Sequence, residues 1–424
     1  MVWLPGEGFD FADARQYNGA YLAALGKVIV ITVQYRVGAF GFLKNNAGLW
    51  DQIEALKWIN QNAASFGGDS ERVTLFGRFS GSMSISILLS SPAVINSKVS
   101  LFSRAVLMSG IAVGQWVFEY ESTQRSKHLI SLSPCDEVEC LKNLSAQQIL
   151  TYSGYGWKPT FDGELVVQEP QAALKKGNFP RYVKDIMLGT NKFEGNLCLL
   201  KHMVVDRSFY DNLVTNNTTT EEYTRIVRED MEMFYGQKNL QKGNLGGIVK
   251  DPSNYIEFCA ELLINAHMRK YQMLLKRLVY NSKYALENVF DYKLDYKPSF
   301  SIAPAFINSS IHGDDVILAF GLAFKNFPLT SKQDKEISGL MVQMFSRFAT
   351  HGTPYTQSEE SFEIPQKSNI LNDSFLQMSA SDIVILFVLI ILLVVMYILG
   401  YLFIRSTKKQ QNDTSKRILI TEQC

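Results

Sequence analysis

The sequence predicts an α/β protein with a mostly parallel, doubly wound β-sheet, followed by a membrane-spanning helix near the C-terminus. Short apolar segments typical of buried strands alternate with amphipathic segments typical of helices, which is the pattern of parallel sheets. The chain has 424 residues, 46% of them hydrophobic, enough for a large core. One long uncharged run lies close to the C-terminus.

The predicted strands are short and rich in β-branched residues. Lys27–Val37 is a near-continuous run of this kind, as expected for a strand buried on both faces. Arg72–Gly77, Ala105–Met108 and Asp185–Gly189 are shorter examples. Met1–Trp3 resembles the end of a further strand. A domain starting there would leave an unpaired strand edge, so we expect sheet residues upstream of Met1.

Helical segments separate these strands. Asp51–Phe66 places its apolar residues on one stripe and predicts an amphipathic helix. Ser84–Ser90 predicts a second helix, which follows a strand directly. Residues from about 206 to 283 form a helix-rich second half.

The C-terminal region predicts a membrane anchor. Ile383–Ile404 carries no charge, and a helix of this length spans roughly 30 Å of hydrocarbon. The alternative is a buried core helix, although such helices rarely run this long without a charge. The segment Ser368–Asp382 has no basic residue, whereas five follow the span: Arg405, Lys408, Lys409, Lys416 and Arg417. The positive-inside rule then predicts a type I single-pass protein with a cytoplasmic C-terminus and an extracellular or luminal ectodomain.

These features divide the chain into four parts. Residues 1–356 form the folded domain, 357–382 a polar stalk, 383–404 the membrane helix and 405–424 a basic tail. The N-terminal MVWLPGEGFDF has neither a basic region nor a long apolar core and does not resemble a secretory leader. Either upstream residues are missing, or the protein is inserted by its tail and faces the cytosol. We favour the first explanation because of the unpaired strand edge.

Composition excludes several functions. The net charge of +1 gives no electrostatic reason to expect nucleic acid. No second cysteine or histidine pair stands at metal-ligand spacing, and the five histidines are scattered along the chain. We therefore predict no metal and no cofactor. The cysteines are too few for a disulfide scaffold: Cys135, Cys140, Cys198, Cys259 and Cys424.

Six ordered motifs between residues 1 and 354 resemble the type-B carboxylesterase and cholinesterase family. They are MVWLPGEGF, VIVITVQYRVGAFGFL, the segment from NAGLWDQ to VTLFG, GTNKFEGN, IHGDDVILAFG and RFATHGTP. The resemblance implies an α/β-hydrolase fold over residues 1–356. It also implies ester hydrolysis by a serine on a G-x-S-x-G turn, with a histidine base and an acid that orients it.

The turn that should carry the serine reads Gly77-Arg78-Phe79-Ser80-Gly81. Its apex is Phe79, whose ring has no nucleophilic atom. A shifted register would put Ser80 at the apex, but the tight backbone needs small residues two positions away on both sides. Glycines flank Phe79 in this way, whereas Arg78 and Ser82 would flank Ser80. Ser82 has small flanking residues but lies three places late, inside the predicted helix.

The oxyanion loop differs from the family pattern as well. The resemblance assigns this role to Gly6, Glu7 and Gly8, with Ser80 completing the site. Glu7 replaces a glycine, and its carboxylate would oppose a nearby oxyanion. Arg78 replaces the usual glutamate before the nucleophile. Three departures at one site indicate relaxed selection on catalysis.

The other two catalytic positions are present as Glu194 and His312, and Ser109 lies where the family often keeps a serine that supports the acid. The pair is either a vestige of catalysis or a buried hydrogen-bonded pair that would be costly to break singly. Without a nucleophile it has nothing to activate, which favours the second interpretation.

The resemblance implies further structural features. Arg36 and Asp69 match a buried ion pair of the family, and Cys135 and Cys140 match one of its disulfides. We expect Cys198 and Cys259 to be ordinary buried thiols, with pairing as the alternative. Cys424 is either palmitoylated or, as we favour, a free thiol. Five N-glycosylation sequons precede the predicted membrane span and suit a glycosylated ectodomain: Asn143, Asn216, Asn217, Asn308 and Asn372.

Three functions remain open. The first is a catalytically inactive, esterase-like ectodomain that binds a protein or a small ester-like ligand, as in the adhesion proteins of this family, and it could form a homodimer. The second is a membrane-anchored carboxylic-ester hydrolase using Ser80 or Ser82. The third is an incomplete or degraded copy of an esterase. The first is favoured because of the residue at the apex.

Overall fold

The computed structural model describes residues 1–114, 117–120, 124–198, 225, 252–281, 283–303, 307–325 and 330–355. The chain divides into two compact units, and the larger contains residues 1–196 and 253–325. The second unit lies almost wholly outside the described residues. The predicted stalk, membrane span and tail, and most of the helix-rich second half, also lie outside them. Within the described residues, no helix is long and apolar enough to cross a membrane.

In the described part of the chain, six parallel strands form one sheet in the order β2-β1-β3-β4-β5-β6. Their bounds are Val2–Leu4 (β1), Ile31–Thr32 (β2), Thr74–Arg78 (β3), Arg104–Met108 (β4), Asp185–Asn191 (β5) and Asn288–Leu294 (β6). The chain passes from β1 to β2 on one side and then returns to β3 on the other. The crevice between the carboxyl ends of β1 and β3 is therefore a topological switch point, where open α/β sheets place their sites.

Helices connect and cover the strands. Their bounds are Ala20–Gly26 (α1), Gly38–Phe42 (α2), Ala47–Asn62 (α3), Ser80–Leu88 (α4), Pro92–Ile95 (α5), Gln124–Leu132 (α6), Ala146–Ser153 (α7), Pro170–Lys175 (α8), Pro252–Ala260 (α9), Ala266–Val279 (α10), Asp314–Ala319 (α11) and Lys332–His351 (α12). A π-helical turn, Glu261–Asn265, joins α9 to α10. Shorter 3₁₀ turns are Ala14–Gln16, Ala63–Phe66, Ser70–Arg72, Glu139–Asn143 and Leu322–Lys325.

The main core lies between one face of the sheet and the last two helices. Trp3 of β1 and Phe76 of β3 are fully buried, and their ring centroids are 4.9 Å apart. Phe320, which ends α11, approaches Trp3 edge-on at 5.0 Å. Phe345 and Phe348 of α12 complete this cluster. The aromatic layer fixes β1 and β3 beside each other, and both strands end at the site.

The predicted parallel sheet is confirmed, with changes in extent. Only Ile31–Thr32 of the predicted Lys27–Val37 strand pairs with a neighbour, because its partner β1 contributes three residues and Lys27 has a left-handed backbone. The strand lies at the edge of the described sheet and is half-buried, so the expectation of burial on both faces was wrong. Helix α4 begins at Ser80 and not at Ser84.

Two expectations about side-chain pairs were wrong. Arg36, which precedes α2, pairs with Asp51 in the early part of α3 at 2.7 Å, and Asp69 pairs with Arg72 instead. Cys198 and Cys259 are buried but are not free thiols, since each is disulfide-bonded. The predicted disulfide between Cys135 and Cys140 is confirmed.

Candidate active site

The turn at the end of β3 has the strained geometry of a nucleophile elbow. Phe79 has φ 50° and ψ −115°, a backbone conformation that residues other than glycine rarely adopt. Its N–H donates to the carbonyl of Met108 at 3.0 Å, and its carbonyl accepts from the N–H of Met83 at 2.7 Å. Backbone pairing on both sides therefore holds the apex in place.

The flanking glycines explain why Phe79 occupies the apex. A Cβ added to Gly81 would lie 2.0 Å from the carbonyl oxygen of Leu4, and one added to Gly77 would lie 2.8 Å from the same oxygen. Neither position tolerates a side chain. The sequence-predicted register, with Phe79 at the apex, agrees with this geometry.

The ring of Phe79 lies against the imidazole of His312. The ring centroids are 5.2 Å apart at an interplanar angle of 81°, an edge-to-face contact. The side chain is half-buried and does not point freely into solvent. A Cβ at Gly8 would lie 4.0 Å from Cε1 of the ring, so the oxyanion loop borders the same space. The ring thus occupies the position from which a hydroxyl would face the histidine.

Glu194 holds the opposite side of the imidazole. Its Oε2 is 2.6 Å from Nδ1 of His312, and both side chains are almost completely buried, at 0% and 3% exposed. Its Oε1 accepts from the hydroxyl of Ser109 at 2.6 Å and from the N–H of Asn191 at 2.5 Å. Asn196 accepts the backbone N–H of His312 at 2.9 Å. The predicted arrangement of Ser109, Glu194 and His312 is therefore present.

The electrostatics of this network favour an ionised acid. Burial alone would raise the pKa of Glu194, but the charge of His312 and the hydrogen bonds from His312, Asn191 and Ser109 lower that pKa below its ordinary value. Two carboxyls on the next helix behave oppositely. Burial raises the pKa of Asp314 to about 7, and it also raises the pKa of Asp315. The negative charge of Glu194 adds to both shifts.

The remaining nitrogen of His312, Nε2, is buried and has no hydrogen-bond partner among the described residues. Ser82 is fully buried, and its hydroxyl donates to the carbonyl of Gly110 at 2.6 Å. Ser80 is also fully buried, and its hydroxyl faces the backbone of Gly6, where an added Cβ would lie 2.3 Å away. Neither hydroxyl is bonded to the imidazole.

One backbone donor of the oxyanion loop is already engaged within the protein. The N–H of Glu7 donates to the carbonyl of Phe11 at 3.0 Å, so that this donor is already engaged. Gly8 and Phe9 both have positive φ, at 72° and 68°, which turns the loop back on itself. A donor engaged within the protein stabilises no charge on a substrate.

Glu7 and Arg78, the two charged departures from the family pattern, form an ion pair with each other. The side chain of Arg78 is 12% exposed and that of Glu7 is 45% exposed. Burial alone would lower the pKa of Arg78, but the charge of Glu7 raises it overall. The guanidinium also contacts Gly313, where an added Cβ would lie 2.6 Å from Nη1. The sequence analysis treats Glu7 and Arg78 as two separate departures from the family pattern. Their ion pair could not be predicted, because the residues are far apart in the sequence.

Among the residues that the structure describes, Glu194 and His312 form a preorganised pair, and no hydroxyl is hydrogen-bonded to Nε2 of His312. The described residues contain no group of three or more side chains that could hold a metal ion. The arrangement is that of an α/β-hydrolase whose apex side chain is a phenyl ring.

Comparison with known proteins gives the family. The carboxylesterase family model matches residues 1–381, and the chain belongs to this family. It is 29% identical over 414 residues to an acetylcholinesterase of Leptinotarsa decemlineata, covering 84% of this chain and 61% of that protein. It is 29% identical over 387 residues to neuroligin-3 of Mus musculus, and 27% identical over 393 residues to neuroligin-2 of the same species. Each neuroligin match covers 84% of this chain, and 45% and 44% of the relatives. The chain therefore spans about half the length of these relatives.

Proposed function

We propose that this chain is a catalytically inactive, carboxylesterase-like ectodomain on a single membrane-spanning helix, and that it works by binding. The observation that carries the proposal is the Phe79 ring at the apex of the elbow, in edge-to-face contact with His312. A phenyl ring can neither attack a carbonyl nor give up a proton. In this proposal Glu194 and His312 are retained for structure, since removing one member of a buried pair is costly.

The proposed ligand is a protein partner or a small ester-like molecule. A protein partner is favoured by the similarity to neuroligin-2 and neuroligin-3. The family that the sequence resembles also includes adhesion proteins. The proposed topology is extracellular or luminal for residues 1–356, with a stalk, a span over 383–404 and a cytoplasmic tail. The charge-free span and the basic residues after it support this orientation.

The hydrolase alternative has no support in the site geometry. Ser82 is committed to the carbonyl of Gly110, and Ser80 faces Gly6. An active enzyme would need one of these hydroxyls at Nε2 of His312, whereas the side chain that contacts this imidazole is the ring of Phe79. The degraded-copy alternative predicts a chain that does not fold, so it is tested by whether the purified protein is soluble and melts cooperatively.

Turnover of naphthyl acetate by a graded set of variants tests the proposal. The wild-type protein should match a heat-killed control. Phe79→Ser should restore little activity, because the N–H of Glu7 remains bonded to Phe11 and the loop remains paired to Arg78. The triple variant Phe79→Ser/Glu7→Gly/Arg78→Glu restores the family residues. It removes both the carboxylate that opposes an oxyanion and the ion pair that holds the loop, which allows the loop to turn its N–H groups toward the substrate. We therefore expect it to exceed Phe79→Ser by about a hundredfold or more, the typical effect of one oxyanion donor.

Two results would contradict this reasoning. Turnover by the wild-type protein would overturn the proposed inactivity. Robust rescue by Phe79→Ser alone would show that the oxyanion loop is competent as it stands. Phe79→Ala is the matched control, since it removes the ring without supplying a hydroxyl and should remain inactive.

A further inference from the structure

We infer that Asn143 and Asn308 carry N-linked glycans, and this inference rests on the proposed extracellular or luminal placement of the ectodomain. Each is the first residue of a sequon, Asn143-Leu144-Ser145 and Asn308-Ser309-Ser310. A glycan is bulky and strongly hydrated, so the folded protein accepts one only where the asparagine side chain points outward.

Both asparagines meet this condition. Asn308 is exposed although both of its neighbours, Ile307 and Ser309, are buried. Ser309 is anchored inward by a 2.6 Å hydrogen bond from its hydroxyl to Asp295. The hydroxyl of Ser310 donates to the carbonyl of Leu294 at 2.5 Å. On the other side of Asn308, the carbonyl of Ile307 accepts from Nζ of Lys297 at 2.6 Å. The asparagine is therefore the outward member of a fixed segment, four residues before His312.

Asn143 lies in a similar position on another part of the surface. It is exposed at the end of the 3₁₀ turn Glu139–Asn143, next to the start of α7. Ser145, the third residue of its sequon, caps α7 by accepting the N–H of Gln148 at 3.3 Å. The asparagine itself makes no side-chain hydrogen bond within the described residues that a glycan would have to break.

The cysteines supply an independent argument for the compartment. Four of the five are disulfide-bonded: Cys135, Cys140, Cys198 and Cys259. Disulfides persist in extracellular and luminal compartments and are rare in the cytosol. N-linked glycans are attached in the lumen of the endoplasmic reticulum, which extracellular and luminal proteins enter during their synthesis. Sequons and disulfides thus point to one location by unrelated chemistry.

The chain contains its own internal controls. Asn412-Asp413-Thr414 is also a sequon, but it lies in the predicted cytoplasmic tail and should stay unmodified. Asn96 is exposed but precedes Ser97-Lys98, so it is not a sequon. Lys98→Thr would convert it into one and would report whether the ectodomain reached the glycosylating compartment.

The test expresses the full chain behind a cleavable secretory leader in mammalian cells, in the wild-type and Lys98→Thr forms. Glycans are removed by peptide N-glycosidase in ¹⁸O water, and tagged aspartates are located by peptide mass spectrometry. We expect tags at Asn143 and Asn308, none at Asn412, and an added tag at Asn96 in the variant. Asn143→Gln and Asn308→Gln should each remove one step of glycosidase-sensitive gel mobility, and Asn96→Gln should remove none. Changing the asparagines spares the hydroxyls of Ser145 and Ser310, which the fold uses.

The outcomes separate this inference from the proposed topology. If Asn96 is tagged in the variant while Asn143 and Asn308 are not, the glycosylation inference is overturned and the topology stands. If Asn143, Asn308 and Asn412 are all tagged, the glycan sites are supported and the single-pass topology is overturned. If no asparagine is tagged, not even Asn96 in the variant, the ectodomain does not enter the lumen behind the leader. The glycosylation inference and the proposed luminal placement are then both overturned.

Discussion

The ion pair between Glu7 and Arg78 should behave as one energetic unit, and a double-mutant cycle measures this directly. Arg78 is the more buried partner, at 12% exposed against 45% for Glu7. Glu7→Gln would therefore leave the buried guanidinium of Arg78 without its charged partner. Arg78→Gln would leave only a half-exposed carboxylate, which water can solvate. Losing one partner of a buried pair costs about 3–5 kcal/mol, and exposed pairs contribute about 0.2–1 kcal/mol.

The half-exposed carboxylate places this pair between those limits. We expect Glu7→Gln to lower the free energy of unfolding by about 2 kcal/mol. The double variant should be less destabilised than the sum of the single variants, by a coupling energy of about 1–2 kcal/mol. The assay is urea unfolding followed by tryptophan fluorescence, with midpoints compared only among variants whose urea dependence is unchanged.

The exposed pair between Asp13 and Arg15 is the matched control. Its atoms are 2.9 Å apart, but the side chains are 32% and 90% exposed, so we expect a coupling energy below about 0.5 kcal/mol. High salt should reduce that coupling more than the coupling of Glu7 with Arg78. If the Glu7–Arg78 and Asp13–Arg15 cycles give the same coupling energy, Glu7 and Arg78 behave as independent surface charges. That result would refute the proposal that their ion pair holds the oxyanion loop.

Three further predictions follow from the site and the sequence. Phe79→Gly should be more stable than Phe79→Ala by about 1–3 kcal/mol in urea unfolding, because glycine relieves the positive φ of 50°; equal stability would show that the elbow is unstrained. The pKa of Asp314 is raised from 3.8 to about 7 in the folded state, so the unfolded chain releases this proton first as pH rises. Wild-type protein should therefore lose stability relative to Asp314→Asn between about pH 4 and pH 7, with no further change above; a constant difference across this window would contradict the assignment. A tag placed after Cys424 should resist protease in intact cells and be digested after permeabilisation, and digestion in intact cells would reverse the proposed orientation.

The elbow could be predicted from the sequence because backbone sterics alone determine it. The requirement for Gly77 and Gly81 follows from the close approach of Leu4. That requirement fixes Phe79 at the apex in any fold of this class. Helix α4 and strand β3 then differ from prediction by a few residues only, as expected for element ends.

Contacts between distant residues could not be predicted in the same way. The pairing of Arg36 with Asp51 was missed because the family resemblance assigned Arg36 to Asp69, and only the folded backbone shows which carboxylate lies beside the guanidinium. Strand β6 was not predicted because its sequence has no apolar run. Most of its residues are exposed or half-buried, so the fold does not require one. The Glu7–Arg78 pair depends on β1 and β3 being neighbours in the sheet, and sequence order does not reveal that adjacency.

The central claim is that no serine of this protein acts as a nucleophile, and mass spectrometry of the purified full-length chain after reaction with a fluorophosphonate tests it most directly. A fluorophosphonate forms a stable adduct only with a serine activated by a neighbouring base. We predict an unchanged protein mass after incubation, because the imidazole of His312 faces the ring of Phe79. An adduct mapped to Ser80 or Ser82 would contradict the account and identify the protein as a hydrolase with an altered elbow.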